Sequence, residues 1–257
     1  MTISASPEPG VLVSRVRLWW WRRGYKKFYG SGGGRSNTYA MNAGSEERFN
    51  RLVAELRGLL QPSDRHRVLD IGGGNGVLAS EVFKNCKGTV VVDYCLEGMS
   101  VQPGQRPGVH FVVAEASKLP FREGSFNTIF TYSVLPHLGS QTVVTAMLRA
   151  WDVLLLGQGI LYLGDVPDRE KFLAVVRGGF RRLPWVAGFK YCVAILLNSY
   201  FSKARLRTYL AGMGYDVTIV AQAPGRRFQA ERFDVLGKKR NRYGQTRPDR
   251  EGVAVAR

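Results

Sequence analysis

Four of the seven residues in Asp70-Ile71-Gly72-Gly73-Gly74-Asn75-Gly76 are glycine. Glycine lets a backbone approach a ligand closely and take up positive φ, and a plain turn from strand to helix needs one glycine rather than four. The run follows the apolar Val68-Leu69, so it reads as the end of a strand entering a helix, where parallel sheets bind ligands. Two phosphate-binding loops are excluded by spacing. Counting from Gly72, the sixth position of G-x-G-x-x-G is Val77, and Asn75-Gly76-Val77 supplies no lysine for a P-loop. For proton transfer at neutral pH, histidine is the suited side chain. Of the three histidines, His66 precedes the first strand, His110 lies near the start of the third, and only His137 follows a strand's carboxyl end. Asp165, closing the fifth strand, and Tyr132, closing the fourth, are rival polar groups there.

The elements that must hold these residues follow from periodicity. Ser45 before Glu46, Glu47 and Arg48 starts a helix, and Phe49, Leu52, Val53, Leu56, Leu59 and Leu60 recur at helical spacing up to Pro62. From Arg67, short β-branched runs alternate with helix-length segments: Val68–Ile71, Thr89–Asp93, Val109–Val113, Thr128–Thr131 and Ile160–Leu163. Such alternation implies a mostly parallel sheet covered on both faces. Tyr215–Val220 and Arg232–Leu236 read as an antiparallel closing hairpin at its edge. Residues 1–44 form a basic aromatic arm, partly flexible, 45–239 one catalytic domain, and 240–257 a basic tail expected to be disordered.

Asp70, Gly72, Gly74 and Gly76 match D-x-G-x-G-x-G, and in this the chain resembles the class I S-adenosylmethionine (SAM)-dependent methyltransferases. Glu115-Ala116, Leu119-Pro120-Phe121 and Gly124-Ser125-Phe126-Asn127 resemble the stretch that marks the type 11 methyltransferase family, with Glu115 and Asn127 standing where Asp is usual. Met147–Gly159 resembles that family's helix and turn, with Leu156-Gly157-Gln158-Gly159 in place of Pro-Gly-Gly. The resemblance implies a Rossmann-like seven-stranded fold and SAM as methyl donor, leaving S-adenosylhomocysteine. It implies loop backbone against the methionine part, Asp70 near its ammonium, Asp93 on the ribose hydroxyls, Tyr94 against adenine, and Glu115 or Ala116 at the adenine amino group. Tyr132 is counted with the cofactor residues; His137 and Asp165 are the catalytic candidates. Methyl transfer of this kind depends on alignment, and no metal is expected.

Composition bears on the acceptor. The chain carries 37 Lys+Arg against 20 Asp+Glu, a formal net charge of +17, which attracts polyanions. Arg15, Arg17, Arg22, Arg23, Lys26 and Lys27 lie among the tryptophans of the arm. An insertion at about 168–207 carries nine Lys/Arg from Arg169 to Arg207 against the single acid Glu170, interleaved with aromatics. Three partners fit: an anionic membrane surface beside a lipid-like acceptor, RNA with stacked bases, or solvent over an ordinary lid. Base methylation is demoted, because Thr131-Tyr132-Ser133-Val134 stands where Asp/Asn-Pro-Pro-aromatic is usual and no cysteine nucleophile stands near that cleft. The expected acceptor is therefore a small-molecule or lipid-like hydroxyl, with RNA as the alternative acceptor and a scaffold without catalysis as the alternative role. Three cysteines at unrelated spacing suggest neither disulfides nor zinc and suit the cytoplasm. The apolar stretch Leu183–Leu197 contains Lys190 and falls short of the roughly 18 to 20 residues that span a bilayer.

Overall fold

The computed structural model describes residues 45–99, 108–182, 198–224, 226 and 229–241, with side chains of 178–182 excepted. All seven expected strands are present: β1 Arg67–Ile71, β2 Gly88–Asp93, β3 Val109–Val113, β4 Phe126–Tyr132, β5 Leu155–Pro167, β6 Tyr215–Ala221 and β7 Arg232–Lys239. They form one sheet in the order β3-β2-β1-β4-β5-β7-β6. The first five strands pair in parallel, and β7 runs antiparallel to both β5 and β6. The chain progresses outward from β1 through β2 to β3, then returns to lay β4 on β1's other side. This reversal opens a crevice at the carboxyl ends of β1 and β4, where such sheets bind ligands.

Helices cover both faces, as a largely parallel sheet requires. Helix α1, Glu46–Leu60, starts at Ser45, whose hydroxyl accepts from the Arg48 N–H, and buries Phe49, Leu52, Leu56 and Leu60. The short α2, Val77–Val82, follows the glycine loop. With α1 it covers one face through Val68, Val91, Phe130 and Tyr162. On the other face α3, Gln141–Asp152, and α5, Lys203–Gly212, pack Val144, Leu148, Trp151, Leu206 and Leu210 against Leu69, Ile71, Ile129 and Leu163. Successive residues of β1 thus serve opposite layers, which turns Asp70 towards the α1–α2 face.

The expected turn at Leu156–Gly159 lies inside β5. Leu155 pairs with Phe126 and Ile160 with Thr128, and the extra residues bulge out with Gln158 at φ 63°. Asn127 explains why an amide suffices where Asp is usual: its Oδ1 accepts the Arg67 N–H at 2.9 Å, at the sheet end remote from the crevice. The arm and all of the tail beyond Asn241 lie outside the described residues, whereas Arg240 still donates its N–H to Gly214 O at 2.8 Å. Of the insertion, the structure describes α4, Phe172–Arg182, and the return from Asn198. Among the described residues no helix is long and apolar enough to cross a membrane.

Candidate active site

The glycine loop wraps tightly over the end of β1. Gly72, Gly74 and Gly76 have φ of 75°, 55° and 68°. Gly73 is outside the motif but equally constrained: a Cβ there would lie 2.1 Å from Asp70 Oδ2. A Cβ on Gly72 would lie 2.5 Å from Val134 Cγ2, so the segment after β4 packs directly on the loop. Asp70 is buried beneath this turn. Burial, reinforced by the neighbouring Asp93 carboxylate, pushes its pKa up to about 8.

Asp93 stands at the end of β2 with its carboxylate towards the loop. Oδ2 accepts the Gly74 N–H at 3.0 Å and Oδ1 the Cys95 N–H at 2.9 Å. Burial raises its pKa, opposed by the N–H donors of Cys95, Gly74 and Tyr94. One carboxylate therefore ties the glycine loop to the turn after β2. Half-buried Tyr94 is next to it. Ala114 donates its N–H to Asp93 O at 3.0 Å, which brings the segment holding Glu115 and Ala116 alongside. Glu115 is exposed, while Ala116 is partly buried and its carbonyl accepts the Trp151 indole N–H at 2.8 Å.

A second group gathers at the ends of β4 and β5. Tyr132 pairs with Gly164 in the strand register, and a Cβ on Gly164 would strike the Tyr132 ring at 2.5 Å. Beyond it, Ser133 and Asp165 both adopt left-handed φ of 60°. The Asp165 carboxylate accepts from Arg232 Nη1 at 2.5 Å and from Gln222 Nε2 at 3.3 Å. Gln222 also donates to Asp234 Oδ1 at 3.0 Å, and Tyr162 donates its hydroxyl proton to Asp234 Oδ2 at 2.5 Å. His137 lies in the turn Leu135–His137 after β4. Burial, with the Arg232 charge adding to it, pushes its pKa down to about 3, leaving a neutral, weakly basic imidazole.

This polar group extends to α1. Arg226 Nη1 donates to Asp234 Oδ2 at 2.6 Å, its Nε to Glu55 Oε2 at 3.0 Å, and its guanidinium carbon lies 6.0 Å from the Tyr132 ring centre. Removing one partner from a buried ion pair costs far more than an exposed pair is worth. Glu55→Gln is therefore expected to lower stability by about 1–2 kcal/mol, a melting shift of roughly 4 °C. Glu47→Gln, which breaks the exposed Glu47–Arg51 pair, should leave the melting temperature within about 1 °C. Equal melting temperatures for the two variants would show that the part-buried clasp contributes nothing.

Two regions are thus brought together: a glycine loop with two carboxylates at the ends of β1 and β2, and a polar group at the ends of β4 and β5. Residues 69–163 match the family model described as a methyltransferase domain. Over these residues the chain is similar to a class I SAM-dependent methyltransferase domain. It is 28% identical over 89 residues to a demethylmenaquinone methyltransferase of Renibacterium salmoninarum, a match covering 35% of this chain and 36% of that protein's length. The domain's fold is similar to that of Haemonchus contortus phosphoethanolamine N-methyltransferase 1 in complex with phosphoethanolamine and S-adenosylhomocysteine. That similarity has a TM-score of 0.65 and 15% identity, covering 90% of this chain and 51% of that one. It is also similar to Burkholderia thailandensis 1,6-didemethyltoxoflavin-N1-methyltransferase with its acceptor and S-adenosylhomocysteine bound, with TM-score 0.55, 16% identity and coverage of 94% and 93%.

The methyltransferase domain's own residues fit SAM. Among the described residues neither Asp70 nor Asp93 has an ion-pair partner, although Asp70 is 2% exposed. Two adjacent carboxylates without a cation suit a ligand bearing an ammonium and a sulfonium, because burying uncompensated charge is costly. The loop is bare of side chains where backbone must approach that ligand. Sequence reasoning missed Gly73, Ser133, Gln222, Arg226, Arg232 and Asp234. Only Gly73 carried a local signal, as a fourth glycine in the run.

Proposed function

We propose that the chain transfers a methyl group from SAM to an acidic hydroxyl of a small-molecule or lipid-like acceptor. The observation that carries this is the pair of carboxylates, buried Asp70 and half-buried Asp93, beneath and beside a loop in which Gly72, Gly73, Gly74 and Gly76 carry no side chain. Asp70 is assigned to the ammonium group and Asp93 to the ribose hydroxyls, with Tyr94, Glu115 and Ala116 around the adenine. When bound, SAM supplies an electrophilic methyl group on a sulfonium. The chain's contribution is alignment, which can account for most of the barrier lowering in such a displacement.

His137 supports the choice of an acidic hydroxyl. An imidazole pushed down to about 3 is a poor base for an alcohol, so His137 is assigned to positioning beside the cofactor and Arg232. An enolic or phenolic hydroxyl is far more acidic than an alcohol, so the proton it gives up to solvent as the methyl is transferred needs less help from a base. The relative named a demethylmenaquinone methyltransferase is in keeping with a lipid-like acceptor. Labelled-methyl transfer from SAM into a cell extract, fractionated into lipid, RNA, protein and small molecules, tests the proposal. Label is expected in the lipid or small-molecule fraction as an ether stable to mild base. Label confined to RNA would replace the acceptor class, and none in any fraction would favour a binding or scaffold role.

A further inference from the structure

The ends of β4 and β5 hold two left-handed residues that are not glycine, Ser133 and Asp165, each with φ of 60°. This region of backbone space is sparsely used by residues with a Cβ, and serine has little of the tolerance that Asn and Asp show there. Cross-strand register places them side by side: Tyr132 pairs with Gly164, so the next residue on each strand is Ser133 and Asp165. The Ser133 N–H donates to Gly164 O at 3.0 Å, closing the pair.

Their surroundings place the pair beside the glycine loop. Val134, next to Ser133, fills the space that Gly72 leaves open in the cofactor loop. Ser133 is therefore next in the chain to the residue packed on the loop assigned to the methyl donor, and follows the last register pair before Asp165. Asp165 is held from behind: Arg232 Nη1 contacts both its Oδ2 at 2.5 Å and its backbone O at 3.1 Å, its N–H donates to Asp234 Oδ1 at 2.8 Å, and Gln222 Nε2 reaches its Oδ1 at 3.3 Å. A non-glycine residue in a left-handed conformation points to a use for its side chain, since glycine would meet the backbone requirement at no steric cost. Ser133 is half-buried, so it is not sealed in the core.

We propose that Ser133 and Asp165 form an acceptor-binding bracket, in which the Ser133 hydroxyl and the free lone pairs of the Asp165 carboxylate hydrogen-bond the acceptor's hydroxyl beside the cofactor loop. Arg232 is a positioning residue that holds Asp165 in place. The inference rests on the methyltransferase function proposed above and names the residues that would select its acceptor.

Glycine at position 133 separates the two reasons for a left-handed residue. If the turn alone mattered, Ser133→Gly would leave methyl transfer unchanged and the melting temperature equal or higher. The bracket instead requires an equal or higher melting temperature, unchanged SAM affinity, and a KM for the acceptor fraction raised on the order of tenfold, the loss of one hydrogen bond. The assay uses the intact chain, labelled SAM and the labelled fraction of a cell extract as acceptor source, with calorimetry on SAM alone. Ser133→Asn, whose side chain tolerates the left-handed region and keeps hydrogen-bonding atoms, should recover most of the lost affinity. Asp165→Asn should raise KM without altering SAM binding. Unchanged KM in both Ser133→Gly and Asp165→Asn overturns the bracket while leaving the methyltransferase function intact. Failure of the unaltered chain to bind SAM overturns both.

Discussion

Asp93→Ala is expected to weaken SAM binding by two orders of magnitude while leaving the domain folded. The Asp93 carboxylate accepts the Gly74 N–H at 3.0 Å and the Cys95 N–H at 2.9 Å, so the walls on either side of the crevice are set by one side chain. Its remaining lone pairs are assigned, under the proposed function, to the two ribose hydroxyls. A hydrogen bond to a charged group contributes about 1.5–3 kcal/mol, and two lost together amount to at least 3 kcal/mol, a factor of more than about 100. Stability should change little, because the carboxylate is itself held in an unfavourable buried position, with its pKa raised by desolvation. Asp93→Asn retains one oxygen for the Gly74 N–H and should fall between. Calorimetry with SAM and with S-adenosylhomocysteine is the check; a dissociation constant within threefold of the unaltered chain's would remove Asp93 from the ribose site.

How far such residues can be found without coordinates depends on whether their neighbours in space are neighbours in sequence. Asp70 and the glycines share one turn, so periodicity and glycine spacing locate them, and Asp93, which ends the strand paired directly with β1, follows from the resemblance to the methyltransferases. The alternation of strands and helices, with a closing hairpin, likewise specifies the sheet. Asp165 was legible as a strand end, but its partners Gln222 and Arg232 are 57 and 67 residues away. In sequence, Arg232-Phe233-Asp234 looks like the alternation of an edge strand with charges facing water. In the fold β7 is instead flanked by β5 and β6, and Asp234 is 0% exposed. Its carboxylate is tolerable only because Arg226, Tyr162 and Gln222 all donate to it. His137 illustrates a different limit: its place after β4 follows from order along the chain, whereas its basicity depends on burial and on Arg232. Ser133 gave no signal at all, since serine does not announce a left-handed residue as glycine or asparagine does.

Asp70→Asn should make the ligand-free protein more stable and at the same time abolish useful SAM affinity. The folded-state pKa of Asp70 is pushed up to about 8 from 3.8, first by burial and then by Asp93. Between those values the unfolded chain binds fewer protons than the folded one, so this group makes stability fall as pH rises from about 4 to about 8. The amide carries no charge at any pH and removes that fall; at pH 7.5 the variant should melt on the order of 5 °C above the unaltered chain, with the gap closing towards pH 4. Ligand binding runs the other way. Below pH 8 a proton must leave Asp70 before its carboxylate can pair with an ammonium group, so affinity of the unaltered chain should increase with pH by up to about tenfold per unit between pH 5.5 and 7.5. The amide cannot form that buried ion pair, and loss of one partner of such a pair costs about 2–5 kcal/mol, on the order of 30-fold or more in affinity. Thermal melts and SAM titrations of both proteins across this range would test the two halves together. A variant that is no more stable than the unaltered chain at pH 7.5, or that retains the pH slope of binding, would show that the charge unmatched beneath Gly73 is not the one SAM neutralises.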